Sequence, residues 1–269
     1  MSVMQTIWLS IVQGLTEFLP VSSSGHLILF AEFTSFEDQG LAVDIALHVG
    51  SLLAVMIYFY KDISAMFKGV FKKFLLPDFS DKGNKLAYMI VLASIPALVM
   101  GFCLRNFGME VFRTPKVIGW TILIYGLILF YADKVGKSDK TSVDIGFKEA
   151  FLIGLAQCLA LIPGTSRSGI TITLARFLGI NRSEAAKFSM LLSIPTIVAA
   201  GALEIFRLWK TSSIGAIYDT FDAVGYSFIA SVLVIFFMMK WVRKFSFLPF
   251  VVYRVFLGIA LILHSYDVF

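Results

Sequence analysis

The chain has 269 residues, of which 58% are hydrophobic and only 15% are charged, and its mean hydropathy is +0.84. Soluble domains are about half apolar and about a quarter charged, so the composition excludes an ordinary soluble protein and indicates an integral membrane protein. The formal net charge of +5 does not indicate nucleic-acid binding, because the basic residues of membrane proteins collect in cytoplasmic loops. We therefore expect one membrane-embedded domain over residues 1–269.

Six apolar stretches along the chain approach the length of about 17 to 25 residues that a membrane-spanning helix needs. Pro195 lies inside the fourth stretch and should kink it. The pattern predicts an all-α polytopic membrane protein. Its predicted spans are Leu41–Tyr60, Leu86–Leu104, Val117–Ala132, Ala185–Phe206, Ala223–Met239 and Phe247–His264.

Two other apolar regions are each interrupted by a proline and a run of small polar residues. We interpret each as a re-entrant helix-loop-helix hairpin, which dips into the bilayer and returns to the side it came from. Irregular backbone at that depth must be buried in protein or line a wet cavity. One long kinked helix per region is the alternative. The paired segments are Met4–Leu19 with Leu27–Phe33, and Phe147–Ile162 with Ile170–Leu178.

The two predicted hairpins resemble each other. Leu19–Leu29 (LPVSSSGHLIL) aligns with Ile162–Ile172 (IPGTSRSGITI), and a glutamine precedes each, at Gln13 and Gln157. Three predicted spans follow each hairpin, and an odd number of crossings places the hairpins on opposite faces of the membrane. The pattern predicts an inverted-topology repeat, with repeat 1 over about 1–133, repeat 2 over about 147–266, and the site where the broken helices meet.

The basic residues near the ends of the spans indicate an orientation. Fifteen lysines and arginines fall on one face and five on the other, so the richer face is expected to be cytoplasmic. The hairpin that contains Glu17 then enters from the outer side, and the hairpin that contains Arg167 enters from the cytoplasm. Glu37 and Asp38 are expected in a solvated outer loop.

The first loop gathers polar groups that are costly at membrane depth and are functional candidates for that reason. Gln13 and Glu17 are four residues apart and share one helix face. Ser22–Gly25 are expected to form a turn, after which a helix should start near His26 or Leu27. Glu17 with His26 beside a serine could supply acid–base chemistry or hold a divalent cation. The serines could instead only bond the backbone, and Glu17 could be a proton-relay acid.

The second loop, Pro163–Thr171 (PGTSRSGIT), repeats the plan with an arginine. A helix that starts before Ile170 would offer unpaired backbone N–H groups to an anion, and the Arg167 guanidinium suits bidentate phosphate contact. The two loops together predict a phosphate cradle. Gln157 is expected only to cap or bridge, and His48 to pack or to support the site rather than to catalyse.

These residues resemble the signatures of the undecaprenyl-diphosphate phosphatase family of the bacitracin-resistance type. The number and order of the apolar segments fit that family over the whole chain. The first signature is an acid or glutamine, three residues, a glutamate, and a serine-rich turn with Gly-His, and here it reads Gln13, Glu17, Pro20, Ser22, Ser23, Gly25, His26. The second, PGxSRSxxT, reads Pro163, Gly164, Ser166, Arg167, Ser168, Thr171.

The resemblance implies a bacterial enzyme of the cytoplasmic (inner) membrane that hydrolyses undecaprenyl diphosphate to undecaprenyl phosphate and inorganic phosphate. That reaction recycles the lipid carrier of peptidoglycan synthesis. By the family pattern Glu17 would act in acid–base catalysis or metal binding, Arg167 would bind the diphosphate, and Ser23 or His26 would be the nucleophile or its activator. The remaining expected substrate-binding residues are Ser22, Gly25, Gly164, Thr165, Ser166, Ser168 and Thr171.

The resemblance also implies a divalent cation, Mg²⁺ or Ca²⁺, and an active site open to the outer side of the membrane. Gln13 departs from the family pattern, because many members carry glutamate there. Glu17 and the Gln13 amide oxygen are the expected metal ligands. Because Gln13 is neutral where many members have a carboxylate, we expect the affinity for the cation to differ and the enzyme to stay active. The expected partners are the isoprenoid lipid diphosphate and membrane lipids, without nucleic acid, and a homodimer is left open.

Two other functions fit parts of the pattern. Lipid phosphatases of the acid-phosphatase type also use Ser-Gly-His and Ser-Arg, but they need a second histidine soon after the arginine, and the next one here is His264. A lipid transporter or flippase would also use inverted repeats with broken helices. The concentration of serine, histidine and arginine in two loops, without acids along the spans, favours the phosphatase.

Overall fold

Long apolar segments can satisfy their backbone polar groups in lipid only as helices or closed barrels, and the chain folds almost entirely as helices. The structure is a computed structural model that describes residues 2–34, 40–72, 75–104, 109–211 and 218–266, without the side chains of 41, 109–110, 203–211 and 218–219. The predicted outer-loop acids Glu37 and Asp38 lie outside the described residues.

Eleven α-helices are present in the described ranges, and the only β-pairing there is an isolated bridge between Lys140 and Ile180. Short 3₁₀ turns cover Met109–Phe112, Ser142–Asp144 and Leu159–Leu161. The helices are α1 Val3–Phe18, α2 Ser23–Phe33, α3 Gly40–Tyr58, α4 Tyr60–Lys72, α5 Lys82–Leu104, α6 Pro115–Val135, α7 Phe147–Cys158, α8 Arg167–Phe177, α9 Arg182–Thr211, α10 Tyr218–Val242 and α11 Leu248–Ser265.

Five helices are long and apolar enough to cross a membrane, namely α5, α6, α9, α10 and α11. A sixth span is formed if α3 and α4, which are bent by 78° where they join, are counted as one. Each predicted span coincides with one of these helices, with α3 as the first. The chain is therefore a multi-pass membrane protein.

Helix α4 was not among the predicted elements. It has 13 residues, too few to span a bilayer, and exposes Phe67 and Phe71 beside Lys68 and Lys72. A search for apolar runs overlooks such a helix because charges interrupt the run. Gly69 lets α4 lie close to α5, since a Cβ there would meet the Asn84 backbone nitrogen at 2.5 Å.

The polarity of the bundle is that of a protein in lipid, with apolar side chains outside and hydroxyls inside. Large apolar groups such as Val91, Phe236 and Phe256 are 56%, 59% and 72% exposed. In contrast, Ser51 and Ser231 are fully buried. Hydroxyls inside a membrane bundle bond to neighbouring helices or to the backbone, as these two do.

Both interrupted regions form helix-turn-helix pairs, α1 with α2 and α7 with α8. The second helix of each pair starts earlier than predicted, at Ser23 rather than near His26 and at Arg167 rather than just before Ile170. The N-cap residues are Ser22 and Ser166, whose φ angles of +81° and +73° lie in a region that non-glycine residues rarely adopt. Each cap hydroxyl accepts a hydrogen bond from the backbone N–H three residues later.

The structural correspondence between the pairs differs by one residue from the predicted alignment. Ser22 corresponds to Ser166 and Gly25 to Gly169, and both α2 and α8 have 11 residues. The predicted alignment matched Ser22 with Thr165 because it superposed the two prolines. The prolines are not equivalent, since α1 stays α-helical to Phe18 whereas α7 gives way to the 3₁₀ turn Leu159–Leu161.

Loops that the sequence predicts on the cytoplasmic face, after α6, between α8 and α9 and before α11, lie close to one another in the structure. Asp133 at the end of α6 accepts from Arg176 at 3.2 Å and from Arg182 at 2.7 Å. It also accepts from the backbone N–H of Phe247, just before α11. Four helix ends therefore share one carboxylate, which fixes that end of the bundle.

Candidate active site

The tips of the two helix-turn-helix pairs contact each other directly, as the sequence predicts. Arg167 Nη2 donates to Glu17 Oε1 at 2.6 Å, and Ser168 Oγ donates to the Leu19 carbonyl at 2.9 Å. The Glu17 side chain is only 5% exposed and that of Arg167 is 16% exposed. A buried carboxylate and a buried guanidinium thus join two turns that are far apart in the sequence.

Glu17 is held by three further groups besides Arg167. Its Oε2 accepts from Ser23 Oγ at 2.6 Å and from Gln13 Nε2 at 2.9 Å, and His48 Nε2 lies 3.7 Å away. Ser23 is the first residue of α2 and is partly exposed. The hydroxyl of a partly exposed serine therefore lies beside a buried carboxylate, which could take its proton.

His48 lies beside Glu17, where it can support the site, which is one of the two roles that the sequence favoured for it. Its Nδ1 lies 2.7 Å from the Asp44 carbonyl, which can only accept, so Nδ1 carries a proton and Nε2 faces Glu17. Behind Glu17, the Gln13 amide reaches Ser51 Oγ at 3.5 Å, and Ser51 bonds to Ser231 at 3.1 Å. These contacts tie the first loop to α3 and α10.

His26 lies apart from the Glu17 cluster, which corrects the expectation that Glu17 and His26 flank one serine. Its Nδ1 is 2.6 Å from the Ser22 carbonyl and its Nε2 is 2.6 Å from Tyr253 Oη, with the two rings stacked at 5.7 Å. Because the carbonyl can only accept, Nδ1 donates and Nε2 accepts from the tyrosine. The residue beside Ser23 is therefore Glu17, and His26 is bonded to the turn and to α11.

Arg254 on α11 holds both turns against α6. Its side chain is fully buried and donates only to backbone carbonyls. It donates to the Pro20 carbonyl of the first turn and to the Gly164 and Thr165 carbonyls of the second turn, at 3.0 to 3.1 Å. The remaining acceptors are Thr121 and Ile122 of α6.

Most of the predicted cradle residues of the second turn are engaged within the protein. Ser166 caps α8, Ser168 bonds to the first turn, and Thr171 Oγ1 meets Ser189 Oγ of α9 at 2.8 Å. Gly164, with φ +88°, packs against the Ile118 carbonyl and the Thr121 hydroxyl. These residues shape and fix the turn that presents Arg167.

Four buried polar side-chain atoms lack a hydrogen-bond partner in the described residues, and all four belong to the two helix-turn-helix pairs. They are Gln13 Oε1, Gln157 Oε1, Thr165 Oγ1 and Arg167 Nη1. Unsatisfied buried groups cost about 1 to 3 kcal/mol each, and they concentrate where a ligand would satisfy them. Arg167 Nη1 in particular is a charged donor available to an anion.

The residues present do not form a metal site by themselves. Among the described residues, no group of three or more His, Cys, Asp or Glu side chains could hold a metal ion. Gln13 turns its N–H toward Glu17, so its oxygen faces away, and Glu17 already accepts from Arg167, Ser23 and Gln13. The expected Glu17–Gln13 ligand pair thus does not fit a resident divalent cation.

Three residues of this site, His48, Tyr253 and Arg254, were not among the predicted functional residues. All lie inside predicted spans, remote in sequence from the two loops. For Arg254 the signal was present, because an arginine in the middle of an apolar span is itself a functional candidate. Nothing in the local sequence tells which loop atoms these side chains reach.

Comparison with known proteins places the chain within a named family. The family model described as bacitracin resistance protein BacA matches residues 6–260. The undecaprenyl-diphosphatase of Jannaschia sp. (strain CCS1) is 44% identical over 99% of this chain and 100% of that protein. The undecaprenyl-diphosphatases of Roseobacter denitrificans and Alteromonas mediterranea are 45% and 44% identical, covering 99% and 97% of this chain and 100% and 98% of those proteins.

The close fit of the second turn against α6 predicts a difference between two glycines with the same backbone conformation. Gly164 and Gly179 have φ of +88° and +86°, but a Cβ at Gly164 would meet the Ile118 carbonyl at 2.8 Å, whereas none of the described atoms lies within 4 Å at Gly179. Gly179→Ala should lower the free energy of unfolding by about 1 to 2 kcal/mol, the cost of a left-handed residue. Gly164→Ala should lower it by about 1 to 3 kcal/mol more, because of overpacking. Unfolding of the purified proteins in detergent measures both, and equal losses would contradict the packing of this turn.

Proposed function

The chain belongs to the BacA family of bacitracin resistance proteins, and we infer that it is an undecaprenyl-diphosphatase. It hydrolyses undecaprenyl diphosphate to undecaprenyl phosphate and inorganic phosphate. The observation that carries this conclusion is the Glu17–Arg167 pair with the Ser23 hydroxyl bonded to the same carboxylate. It unites a nucleophile, a proton acceptor and a diphosphate-binding cation in a membrane protein.

We propose that the diphosphate lies between the starts of α2 and α8. Ser23 and Arg167 are the first residues of these helices, and a helix N-terminus favours an anion. Arg167 keeps Nη2 on Glu17 and has Nη1 free to donate to a phosphate oxygen. The isoprenyl tail would follow the exposed apolar surface of the bundle into the lipid.

Ser23 is the nucleophile in the mechanism that this geometry favours. As Ser23 Oγ attacks the terminal phosphorus, Glu17 Oε2, at 2.6 Å, takes the hydroxyl proton. The bond from that phosphorus to the bridging oxygen breaks, and undecaprenyl phosphate leaves. The leaving undecaprenyl phosphate takes the proton that Glu17 holds. Water then attacks the phosphoserine and passes a proton to Glu17, which delivers it to Ser23 Oγ as the phosphorus–serine bond breaks, so inorganic phosphate is released and Ser23 and Glu17 are restored. Arg167 neutralises the charge that develops on the transferring phosphoryl group.

His26 has a different role in this proposal. Because it donates to the Ser22 carbonyl and accepts from Tyr253, it fixes the strained cap that presents Ser23. It therefore acts as a positioning residue, and the nucleophile is Ser23.

The divalent cation remains a proposal, and we place it with the substrate. Since Glu17 is the sole carboxylate beside Arg167 among the described side chains, the chain offers too few donors to hold a cation alone. Mg²⁺ is commonly bound through one or two carboxylates together with substrate phosphates. The diphosphate would then carry the cation to the site.

We also propose that the protein lies in the bacterial inner membrane as an inverted repeat of two re-entrant hairpins and six spans. The meeting of the two turns and the shared cap geometry support this arrangement. The excess of basic residues on one face supports a cytoplasmic location for that face and an active site that opens outward. Whether the protein forms a homodimer does not enter the mechanism.

Serine substitutions test the activity and the nucleophile together. Ser23→Ala should reduce phosphate release from a long-chain isoprenyl diphosphate by about 1,000-fold or more, as loss of a nucleophile does. Ser24→Ala is the matched control, since Ser24 is exposed and its hydroxyl has only Ser22 Oγ, at 3.4 Å, as a hydrogen-bond partner among the described residues, and it should stay within about threefold of wild type. Wild-type protein that binds the lipid without releasing phosphate would favour the transporter. Full activity of Ser23→Ala would remove Ser23 as the nucleophile.

Glutamine substitutions test where the cation binds. Gln13→Glu places a second carboxylate beside Glu17, which hard cations favour, so the Mg²⁺ or Ca²⁺ concentration for half-maximal activity should fall severalfold. Gln157→Glu is the control, because Gln157 occupies the corresponding place in α7 and bonds to the Ala93 carbonyl, at 3.3 Å. Equal effects of the two variants, or a wild type indifferent to chelator, would contradict the proposed cation.

Cysteine labelling tests the orientation. In a chain with Cys103 and Cys158 replaced by alanine, a cysteine at position 37 should react with a membrane-impermeant thiol reagent added to intact cells. A cysteine at position 72, at the end of α4, should react only after the cells are opened. The opposite pattern would reverse the proposed topology.

A further inference from the structure

A cavity of about 430 Å³ lies at the bend between α3 and α4, beside the start of α9 and the end of α10. Tyr58 in its wall is ten residues beyond His48 on α3, which is about 15 Å along a helix. Phe59 and Met239, 4% exposed each, contribute to the apolar part of the wall. The cavity is therefore separate from the Glu17 site.

The charged groups around this cavity do not cancel. Lys187 is paired with Asp62 at 2.7 Å and lies 3.9 Å from Glu184, and Glu184 also accepts from the Ser142 hydroxyl and backbone N–H. The two carboxylates in the wall are thus already engaged. Lys61 and Arg243 also line the cavity, and neither pairs with a carboxylate among the described side chains.

Helix ends of both polarities meet at the cavity wall. Helices α4 and α9 begin there, with Lys61 and Asp62 in the first turn of one and Ser183 and Glu184 in the first turn of the other, and α3 and α10 end there. The partial charges of these helix ends offset one another, so the positive charge comes from the side chains. Lys61 and Arg243, with the Tyr60 ring 5.8 Å from Lys61 Nζ, border a space of the size that small ligands occupy.

We propose that this cavity binds a phosphate group, supplied either by the headgroup of an anionic phospholipid or by free phosphate. Lys61 and Arg243 contact the phosphate oxygens, and Tyr58 and Met239 form the apolar side against which a lipid chain packs. The site lies on the face that carries most of the basic residues, away from the catalytic serine.

Two double variants of equal charge separate this site from general attraction to a basic surface. Lys61→Gln with Arg243→Gln removes the two cavity cations. Lys68→Gln with Lys244→Gln removes two exposed cations from α4 and the segment after α10, neither of which lines the cavity. The probes are phosphatidylglycerol, its phosphate-free counterpart diacylglycerol, and inorganic phosphate, each titrated into the full-length protein in detergent and followed by native mass spectrometry or calorimetry.

Wild type and the Lys68/Lys244 variant should bind phosphatidylglycerol in preference to diacylglycerol, and the Lys61/Arg243 variant should bind it at least about tenfold more weakly. If inorganic phosphate binds to the wild type and more weakly to the Lys61/Arg243 variant alone, free phosphate is the ligand. If inorganic phosphate does not bind, the ligand is the lipid headgroup. Equal weakening in both variants, or no preference for the phosphate-bearing probes, would overturn the proposal. Because the measurement is of binding, it does not depend on phosphatase activity.

Discussion

The ion pair between Glu17 and Arg167 is the interaction on which the arrangement of the site depends. The Glu17 side chain is 5% exposed and that of Arg167 is 16% exposed, and Arg167 has no other carboxylate partner among the described side chains. Removing one partner of a buried pair costs about 3 to 5 kcal/mol, so the pair forces the two turns to meet. Ser23, Gln13 and His48 then take positions around the carboxylate that the pair has fixed. A ligand anion can join this cluster because Arg167 keeps one donor nitrogen without a partner.

The sequence predicted those parts of the fold that depend on local pattern. Every predicted span is a helix, and the prolines and serines located both turns. It also predicted that the turns would meet, because the two hairpins were expected to enter from opposite faces of the membrane and to meet inside it. It did not predict α4, whose apolar face is interrupted by lysines, or that the prolines of the two turns are not equivalent. It predicted neither that His26 lies away from Glu17 nor that Tyr253 supports His26. The contact that holds His26 joins it to Tyr253, more than 200 positions away in the sequence.

The two helix-turn-helix pairs share a backbone plan but differ in chemistry. At corresponding places the first pair has Ser23 and His26 where the second has Arg167 and Ile170. Glu17 likewise corresponds to Leu161 in the second pair. In the proposed mechanism the nucleophile and its acid–base partner therefore come from one pair, and the cation that binds the diphosphate comes from the other. Neither pair holds a complete site, which explains why both turns must be fixed against the same two helices.

Arg254 provides that fixation, and all its acceptors are main-chain oxygens. A clamp of this kind does not recognise side chains, so it does not restrict which residues the turns carry. Substitutions at the turn surfaces can therefore change the chemistry of the site while the scaffold stays assembled. Because Arg254 restrains the shape of the loops and leaves their composition open, the catalytic residues of the two turns are free to diverge from one another.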